Sequence, residues 1–153
     1  MAHLNHFPFM GIALEAAREA ADAGEVPVGA VVVGAQGVVL AVARNRTLEL
    51  KDPTAHAELL AIRKACSTLD SERLVGCDLY VTLEPCAMCA TAISFARIRR
   101  LYFGATDLRM GGVENGARIF AQATCHHCPE VYGGIAETAA RDLLQTFFQA
   151  RRR

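Results

Sequence analysis

The sequence predicts an α/β protein in which helices cover both faces of one sheet. Short apolar runs alternate with helical patterns from about residue 28 onward, and residues 79–103 have the order strand, helix, strand. The chain has 153 residues, 52% of them hydrophobic, which is enough to bury a sizeable core. We therefore predict a three-layer α/β/α arrangement in a single domain spanning residues 1–153.

The first third of the chain is predicted to form a helix followed by two strands. Apolar residues recur at helical spacing from Met10 to Ala21, and Gly24 then provides a helix stop. Two apolar runs follow, Val28 to Val33 and Val38 to Ala43, with turn-forming residues from Gly34 to Gly37 between them. We expect an antiparallel hairpin, with both strands buried on both faces because their apolar character is nearly continuous.

Strands and helices are predicted to alternate in the rest of the chain. Thr54 is a favourable N-cap for a second helix. A strand from Leu79 to Thr82 leads to Pro85, which suits the first position of a helix that ends near Arg97. The remaining predicted elements are a strand at Leu101 to Phe103, a glycine-rich loop from Asp107 to Gly116, a short strand at Glu130 to Gly133 and a closing helix from Ala136 to Ala150.

Charge and hydropathy limit the classes of protein that fit. Sixteen Lys and Arg residues balance sixteen Asp and Glu residues, so affinity for a polyanion must come from a local patch. The apolar runs are far shorter than the roughly 20 residues that cross a bilayer, and no secretory signal is recognisable, so we expect a cytoplasmic protein with no membrane partner. Four of the six cysteines, Cys66, Cys77, Cys125 and Cys128, have no secretory context and are expected to be reduced thiols.

The residues that carry chemistry form a split set, with His56 and Glu58 in one segment and Cys86 and Cys89 in another. One imidazole nitrogen and two thiolates give Zn²⁺ three protein ligands and leave its fourth tetrahedral position for water, as in catalytic zinc sites. Bound zinc lowers the pKa of water from about 15.7 towards roughly 7. Glu58 can then take up the proton and pass it to a leaving nitrogen. This His-x-Glu and Pro-Cys-x-x-Cys signature is that of the zinc nucleobase deaminases.

Spacing supports part of this assignment. Cys86 and Cys89 are three residues apart, so they share a face in the first turn of a helix. Unpaired backbone N–H groups and the helix dipole lower thiol pKa values there, which favours the thiolates that a metal requires. His56 and Glu58 are two residues apart, and a regular helix would direct them to roughly opposite sides. The spacing alone does not explain how Glu58 reaches the metal.

Other zinc arrangements remain open at this stage. In a non-catalytic zinc module that binds RNA or a partner, a protein side chain would fill the fourth position, for instance Cys125, Cys128 or His126. The run Cys125-His126-His127-Cys128 also has the composition of a second metal site, although four ligands in so tight a run hardly fit around one ion. Our main expectation for this run is an ordinary loop near the mouth of the active site.

Longer motifs connect the chain with a known family. They are Glu25 to Val31, Asn45-Arg46, Pro53 to Glu58, Tyr80 to Cys89, Ser94 to Arg100, Gly104 to Asp107, and Leu143 to Arg151 with Phe147-Phe148. Across roughly residues 9 to 151 the chain closely resembles the bacterial tRNA-specific adenosine deaminases. The resemblance implies a five-stranded mixed sheet of the cytidine deaminase-like fold, a homodimer with one zinc ion per subunit, and conversion of the wobble adenosine of an arginine tRNA to inosine.

The resemblance also implies roles for individual residues. His56, Cys86 and Cys89 would hold zinc, and Glu58 would shuttle protons. The implied substrate contacts are a hydrogen bond from Asn45 to the flipped nucleotide, packing of Val28 on its base, backbone contacts from Ala57 and Leu83, and a contact of Asp107 with the sugar of the neighbouring nucleotide. A loop-forming role for Asn45 and a turn or cap role for Asp107 are the alternatives.

An RNA substrate has a physical rationale, because an unpaired anticodon-loop base costs less to extrude than a paired one. The residues that could supply phosphate contacts and stacking around an open, cationic mouth are Arg97, Arg99, Arg100, Arg151 to Arg153, Phe147 and Phe148. The same arginines could instead complement helix dipoles or remain solvated, and two adjacent phenylalanines usually have at least one ring in the core.

Three further questions stay open from the sequence. The loop from Asp107 to Gly112 lacks the Pro or Ala and then Lys that many members of the family carry after the Asp, so its contacts with flanking nucleotides are uncertain. A deaminase of a free base or nucleoside, of the guanine or cytosine type, would have the same zinc centre but would close over its small ligand with extra carboxylate or aromatic groups. The segment from Ala87 to Ile98 is apolar on more than one side, which fits either an internal helix or a dimer interface.

Overall fold

A mixed five-stranded sheet forms the centre of the computed structural model, which describes residues 7–151. The elements in chain order are α1 (Phe7–Asp22), β1 (Gly29–Val33), β2 (Val39–Arg44), α2 (Ala57–Leu69), β3 (Asp78–Leu83), α3 (Ala87–Phe95), β4 (Arg100–Ala105), β5 (Glu130–Tyr132) and α4 (Glu137–Arg151). The strand order is β2-β1-β3-β4-β5. β1 is antiparallel to both of its neighbours, whereas β3, β4 and β5 are parallel.

Helices pack on both faces of this sheet, so the predicted three-layer α/β fold is confirmed. Alternate residues of β1 serve opposite layers: Ala30 and Val32 pack in the core under α2 and α3. Val31 and Val33 pack in the core under α1 and α4. Burial of both faces explains why β1 lacks the polar alternation of a half-exposed strand.

The second strand of the predicted hairpin differs from expectation. β2 is an edge strand that pairs only with β1, and most of its residues are partly exposed. Burial of both strands on both faces is therefore wrong for β2, because its apolar residues include the exposed Val39. The predicted turn does connect the two strands, and Gln36 and Gly37 have positive φ angles of 61° and 75° there.

The starts of the second and third helices also differ from prediction. His56, not Thr54, is the N-cap of α2, because the backbone N–H and the hydroxyl of Thr54 both bond to the Asp52 carboxylate in the preceding turn. Cys86 is the N-cap of α3, so Pro85 lies one residue outside the helix and not at its first position. Each predicted N-terminus is therefore displaced by two residues towards the carboxyl end.

Other element boundaries agree with prediction to within three residues. α3 ends at Phe95, two residues before the predicted end, and Arg97 just beyond it has a left-handed φ of 63°. A short 3-10 turn at Ile119–Ala121, which the sequence analysis did not predict, interrupts the loop before β5. Between residues 7 and 151, no helix combines the length and apolar character that crossing a bilayer requires.

Candidate active site

The first turns of α2 and α3 meet beside the carboxyl end of β3, and this junction brings the predicted metal ligands together. The Nδ1 atom of His56 lies 3.6 Å from the Sγ atom of Cys86 and 3.6 Å from that of Cys89. All three atoms lie within 4.8 Å of one another. Residues 30 positions apart in sequence therefore form one cluster.

The spacing of these atoms fits a zinc ion. With Zn–N near 2.1 Å, Zn–S near 2.3 Å and a tetrahedral angle, the nitrogen and sulfur ligands of zinc should be about 3.6 Å apart. Both measured nitrogen–sulfur distances have this value. Among the residues that the structure describes, no fourth His, Cys, Asp or Glu joins the group. Three protein ligands leave one tetrahedral position for water or substrate, as in catalytic sites.

The helix start at His56 explains how Glu58 reaches the cluster. His56 has extended backbone angles (φ −76°, ψ 150°) as the N-cap, while Glu58 lies in the first helical turn. The rule that residues two apart point to opposite sides holds only within a regular helix, so it does not apply across this boundary. The Glu58 side chain is 4% exposed and lines the same cavity as His56 and Cys86.

The environment shifts the pKa values of the acidic groups in this cluster. Burial, together with the nearby charge of Cys86, raises the pKa of Glu58 to about 7 against an opposing backbone hydrogen bond. A hydrogen bond from Cys89 is the largest cause that lowers the pKa of Cys86, to about 4, whereas the pKa of Cys89 is raised. Zinc needs both sulfurs as thiolates, so its binding displaces the proton that the raised pKa of Cys89 favours.

Asn45 is oriented by the same helix start. Its Oδ1 accepts a hydrogen bond of 2.9 Å from the backbone N–H of Ala57. This bond leaves the Nδ2 group of Asn45 as the donor that can face a ligand. The N–H of Ala57 is engaged by Asn45 in this way, and the predicted backbone contact of Ala57 with substrate stays a prediction.

A cavity of about 250 Å³ lies over the ligand cluster. Its lining residues are Val26, Val28, Asn45, His56, Glu58, Leu83, Glu84, Cys86, Asp107 and Met110. Pockets for drug-sized ligands are typically about 300–1,000 Å³, so this one suits a single base. The structure therefore brings Val28, Leu83 and Asp107 to the cavity where the resemblance places substrate.

The cavity opens into an adjoining groove of about 470 Å³. Both share Val26, Leu83, Asp107 and Met110. Leu108 is 82% exposed and Met110 is 69% exposed at this mouth, and Phe148 of α4 lies on its far side. The mouth is thus mainly apolar, with Arg109 as its cation. The expected ring of cations around it is not observed in the described part of the chain.

Glu84, a residue to which the sequence analysis gave no role, holds the loop at this mouth. Its buried carboxylate accepts hydrogen bonds from the backbone N–H groups of Asp107, Val113, Glu114 and Asn115 and from the Asn115 side chain. Burial alone would raise its pKa, but these hydrogen bonds outweigh burial and lower it. A carboxylate directly after a buried strand and before the Pro-Cys motif was the available signal.

Glycine allows the loop to pack this closely. A Cβ on Gly111 would lie 2.6 Å from the carboxylate of Glu84, and one on Gly112 would lie 2.5 Å from the backbone nitrogen of Ala87. Such distances do not occur for real side chains, so both positions require glycine while the loop keeps this path. The loop therefore rests directly against the start of α3 and the ligand Cys86, with which Gly111 forms a bridge.

A second buried carboxylate that the sequence analysis passed over, Glu25, holds the segment after Asn45. It accepts hydrogen bonds from the backbone N–H groups of Leu48 (3.1 Å) and Glu49 (2.8 Å). The Glu49 carboxylate in turn pairs with Arg44 and Arg46. Two buried carboxylates thus anchor the segments next to Asn45 and Asp107, which both line the cavity.

The Asp107 side chain stabilises its own loop in the structure. Its Oδ1 accepts hydrogen bonds from the backbone N–H groups of Arg109 (3.1 Å) and Met110 (3.0 Å). This is the turn role that the sequence left as an alternative. Asp107 also lines both the cavity and the groove, so it lies where a ligand would enter.

Two of the predicted RNA-contacting arginines, Arg99 and Arg100, lie away from the site. Arg99 pairs with Asp78 at 2.9 Å, and Arg100 pairs with Glu130 at 2.6 Å. These pairs lie at the amino ends of β3 and β4, whereas the metal cluster follows the carboxyl end of β3. A strand of six residues is about 17–20 Å long, so the expectation that Arg99 and Arg100 surround the mouth is wrong.

The two phenylalanines of α4 divide between core and surface, as the alternative reading allowed. Phe147 is buried, and the guanidinium carbon of Arg151 lies 3.8 Å from its ring centroid. Phe148 is exposed and lines the groove beside the cavity. The predictions for Arg152 and Arg153 fall outside the described residues.

The run from Cys125 to Cys128 packs against the end of α3 that is remote from the metal cluster. Ser94 in the last turn of α3 donates a 2.7 Å hydrogen bond to the carbonyl of His127. Cys86 and Ser94 are eight residues apart, or about 12 Å along a helix. The expectation of a loop at the active-site mouth is therefore wrong. Within residues 7–151 this run forms no group of three metal ligands.

The fold, the three-ligand cluster and the buried carboxylate define a zinc-dependent deaminase. The model of the cytidine and deoxycytidylate deaminase zinc-binding region matches residues 5–105, and the chain belongs to this family. Within it, the chain is 57% identical over 152 residues to the tRNA-specific adenosine deaminase of Agrobacterium fabrum, covering 99% of this chain and 98% of that one. Its place in the family is thus among the tRNA-specific adenosine deaminases.

Solved structures agree with this placement. One from a study of A-to-I editing by tRNA:A34 deaminases at the wobble position of transfer RNA has a TM-score of 0.87 and 60% identity, covering 89% of this chain and 98% of that chain. A guanine deaminase from Nitrosomonas europaea has a TM-score of 0.78 at 26% identity, covering 91% of this chain and 82% of that chain. This guanine deaminase therefore shares the fold at much lower identity than the tRNA:A34 deaminase does.

Proposed function

We propose that the protein converts the wobble adenosine of a tRNA to inosine by hydrolytic deamination in the cavity around Glu58. The observation that carries this proposal is the form of the site: a cavity for one base opens directly into an exposed apolar groove. A base that belongs to a longer RNA needs such an opening, because its neighbours must remain outside. The full-length similarity to a tRNA-specific adenosine deaminase supports the same substrate.

The reaction replaces the amino group on C6 of adenine with oxygen from water. His56, Cys86 and Cys89 would hold zinc, which when bound supplies the Lewis acidity that makes water nucleophilic at neutral pH. The Glu58 carboxylate accepts a proton from the attacking water and delivers it to the amino nitrogen, which leaves as ammonia when the C6–N bond breaks. A pKa near 7 suits both halves of this transfer.

The other cavity residues position the base. The Nδ2 group of Asn45 donates to the flipped nucleotide, since its Oδ1 is occupied by Ala57. Val28 packs on the base, and Leu83 separates the base from the groove. Asp107 faces the neighbouring nucleotide with the oxygen that its own turn leaves available. Exposed Leu108, Met110 and Phe148 offer apolar surface on which flanking bases can rest.

A basic groove beside the site provides the phosphate contacts in this proposal. It is lined by Arg44, Arg46, Arg63 and Lys64 among others and has a volume of about 510 Å³. The groove and the substrate cavity share no lining residue, but Asn45 of the cavity lies between Arg44 and Arg46 of the groove in sequence. Its cations replace Arg99 and Arg100 as the residues we expect to meet the RNA backbone.

The finer features of the proposal are an arginine tRNA as substrate, a cytoplasmic location and a homodimer. The first two follow from the family resemblance and from where tRNA is matured in bacteria.

For the dimer, Phe95 is 73% exposed on α3 and lines a groove with Thr91, Arg97 and Ile119. An exposed ring on the helix that carries two metal ligands is a suitable contact for a second copy. A sedimentation mass of one chain would exclude this dimer.

The experiment that tests the function offers the zinc-loaded protein an anticodon stem-loop with wobble adenosine in parallel with free adenosine, guanine and cytosine. We expect inosine in the stem-loop at a rate well above deamination of any free compound. Turnover of guanine or cytosine without inosine in the stem-loop would move the protein to the free-base branch.

A further inference from the structure

Two cysteines that the deaminase chemistry does not use contact each other in the loop that packs against the carboxyl end of α3. The Sγ atoms of Cys125 and Cys128 are 3.6 Å apart. A disulfide bond measures about 2.05 Å, so the sulfurs need to approach by only about 1.5 Å. Cys128 is exposed and Cys125 is half-buried.

Neighbouring groups hold both sulfurs in this arrangement. The Sγ of Cys125 lies 3.5 Å from the hydroxyl of Ser94, and the Sγ of Cys128 lies 3.2 Å from the carbonyl oxygen of Phe120. The loop is tied to α3 by the bond from Ser94 to the His127 carbonyl. These contacts hold the two thiols next to each other.

This arrangement fits sulfur chemistry better than metal binding. The Nε2 atom of His127 lies 2.6 Å from the carbonyl oxygen of Ile98, so this nitrogen is already used in the protein. In the described part of the chain, no third ligand joins Cys125 and Cys128 within metal-binding distance. Two sulfurs without further ligands are an incomplete zinc site but a complete dithiol.

We propose that Cys125 and Cys128 form a reversible dithiol–disulfide site that reacts with peroxides. The thiolate of Cys128 attacks one oxygen of hydrogen peroxide, the O–O bond breaks, and Cys128 becomes a sulfenic acid, while the leaving hydroxide takes a proton from solvent to become water. The sulfur of Cys125 then attacks that sulfur, the S–O bond breaks, and a second water leaves as the S–S bond forms. The two thiols lose two electrons, and one peroxide is reduced to two waters.

Accessibility distinguishes Cys128 from the other cysteines. Cys77 and Cys89 are buried, and Cys66, Cys86 and Cys125 are half-buried. Cys128 is the exposed member of the six. The groove that holds Phe95 is lined by Cys125, whereas Cys128 is not among its lining residues. We therefore expect the pair to be oxidised before the zinc ligands.

The test treats the zinc-loaded wild-type protein with a small excess of hydrogen peroxide and maps the cysteines by differential alkylation and mass spectrometry. The hydrogen bond between the two cysteines raises the pKa of Cys128, so the reaction is run near pH 8.5 to populate thiolate. We expect a Cys125–Cys128 disulfide, formed at least about tenfold faster than Cys66 is modified and reversed by dithiothreitol, with zinc retained.

Matched variants make the assignment specific. Cys128→Ser and Cys125→Ser should each abolish the disulfide, whereas Cys66→Ser should leave its rate unchanged. Zinc release before disulfide formation, or oxidation of a single cysteine without a disulfide in the wild-type map, would overturn the proposal. So would a second equivalent of zinc bound in the reduced protein and lost in Cys128→Ser. The wild-type map decides the question even if a variant fails to fold.

Discussion

His56 illustrates how a single backbone conformation assembles this site. Because its backbone is extended, it faces Cys86 and Cys89 while Glu58 begins a helix and points to the same cavity. The residue types and their pairing were predictable from ligand chemistry. The helix boundary was not, because Thr54 has a suitable hydroxyl but uses it in a turn with Asp52.

Replacing Glu58 with Gln should abolish turnover while leaving the metal site intact. The amide keeps the size of the side chain but cannot accept the proton from water, and general acid–base catalysis contributes about 10²–10⁴-fold. Turnover of an anticodon stem-loop should fall by at least this factor, with zinc content unchanged by metal analysis. Activity near that of the wild type would show that another group shuttles the proton.

Removing zinc, or replacing Cys89 with Ser, should destabilise the protein. A ligand present at a thousand times its Kd adds about 4 kcal/mol, or about 8–16 °C in Tm for a chain of this size. The raised pKa of Cys89 means that zinc binding displaces a proton, so zinc affinity should rise with pH. Thermal unfolding with and without a chelator measures the first effect, and zinc titration at several pH values measures the second. An unchanged Tm after complete zinc removal would contradict the account.

At the scale of elements, the strands and helices followed from periodicity, whereas the loop after β4 did not. Its path depends on Glu84, which collects N–H groups from residues up to 31 positions away. No local pattern reveals such a partner set, because each donor is an ordinary backbone group. The exposed face of β2 was missed for a related reason, since strand order decides which apolar strand becomes an edge.

Glu84→Gln should loosen this loop and weaken substrate binding. A hydrogen bond to a charged group contributes about 1.5–3 kcal/mol, and the amide can replace only part of the set. We expect a fall of about that size in the free energy of unfolding, and a raised KM for the stem-loop with a smaller effect on kcat. Asn115→Ala, which removes one donor and keeps the carboxylate, should have a smaller effect on both. Equal KM values for wild type and Glu84→Gln would contradict the role of the loop.

The same residue gives stability a defined pH dependence. The folded pKa of Glu84 is lowered from 4.5, so its contribution is present above that value and is lost as pH falls through the folded pKa. The difference in unfolding free energy between wild type and Glu84→Gln should therefore be full at neutral pH and shrink in acid. Denaturant unfolding across that range measures it, and a difference that grows in acid would refute the assignment.

For the whole molecule, a balanced net charge conceals an uneven distribution of cations. Arg63 and Lys64 are exposed in the basic groove near the cavity, while Arg99 and Arg100 form ion pairs at the opposite end of the sheet. The sequence supplied the number of arginines but could not assign them to an end of the sheet. That assignment needs the strand directions.

The double variant Arg63→Ala and Lys64→Ala should raise KM for tRNA and flatten its dependence on salt. Each lost phosphate contact lowers the slope of log K against log salt by about 1. The control, Arg99→Ala with Arg100→Ala, removes two surface ion pairs worth about 0–1 kcal/mol each and should leave RNA kinetics unchanged. Steady-state kinetics at two or more salt concentrations compare them. The reverse pattern would place the RNA at the other end of the sheet.

The most direct test of the central claim is to incubate the zinc-loaded protein with unmodified bacterial tRNA and to locate inosine by sequencing, where it is read as guanosine. The account predicts an adenosine-to-guanosine change at the wobble position of an arginine tRNA, absent when Glu58→Gln is used. Unaltered tRNA, together with ammonia released from a free base in a parallel incubation, would contradict this prediction.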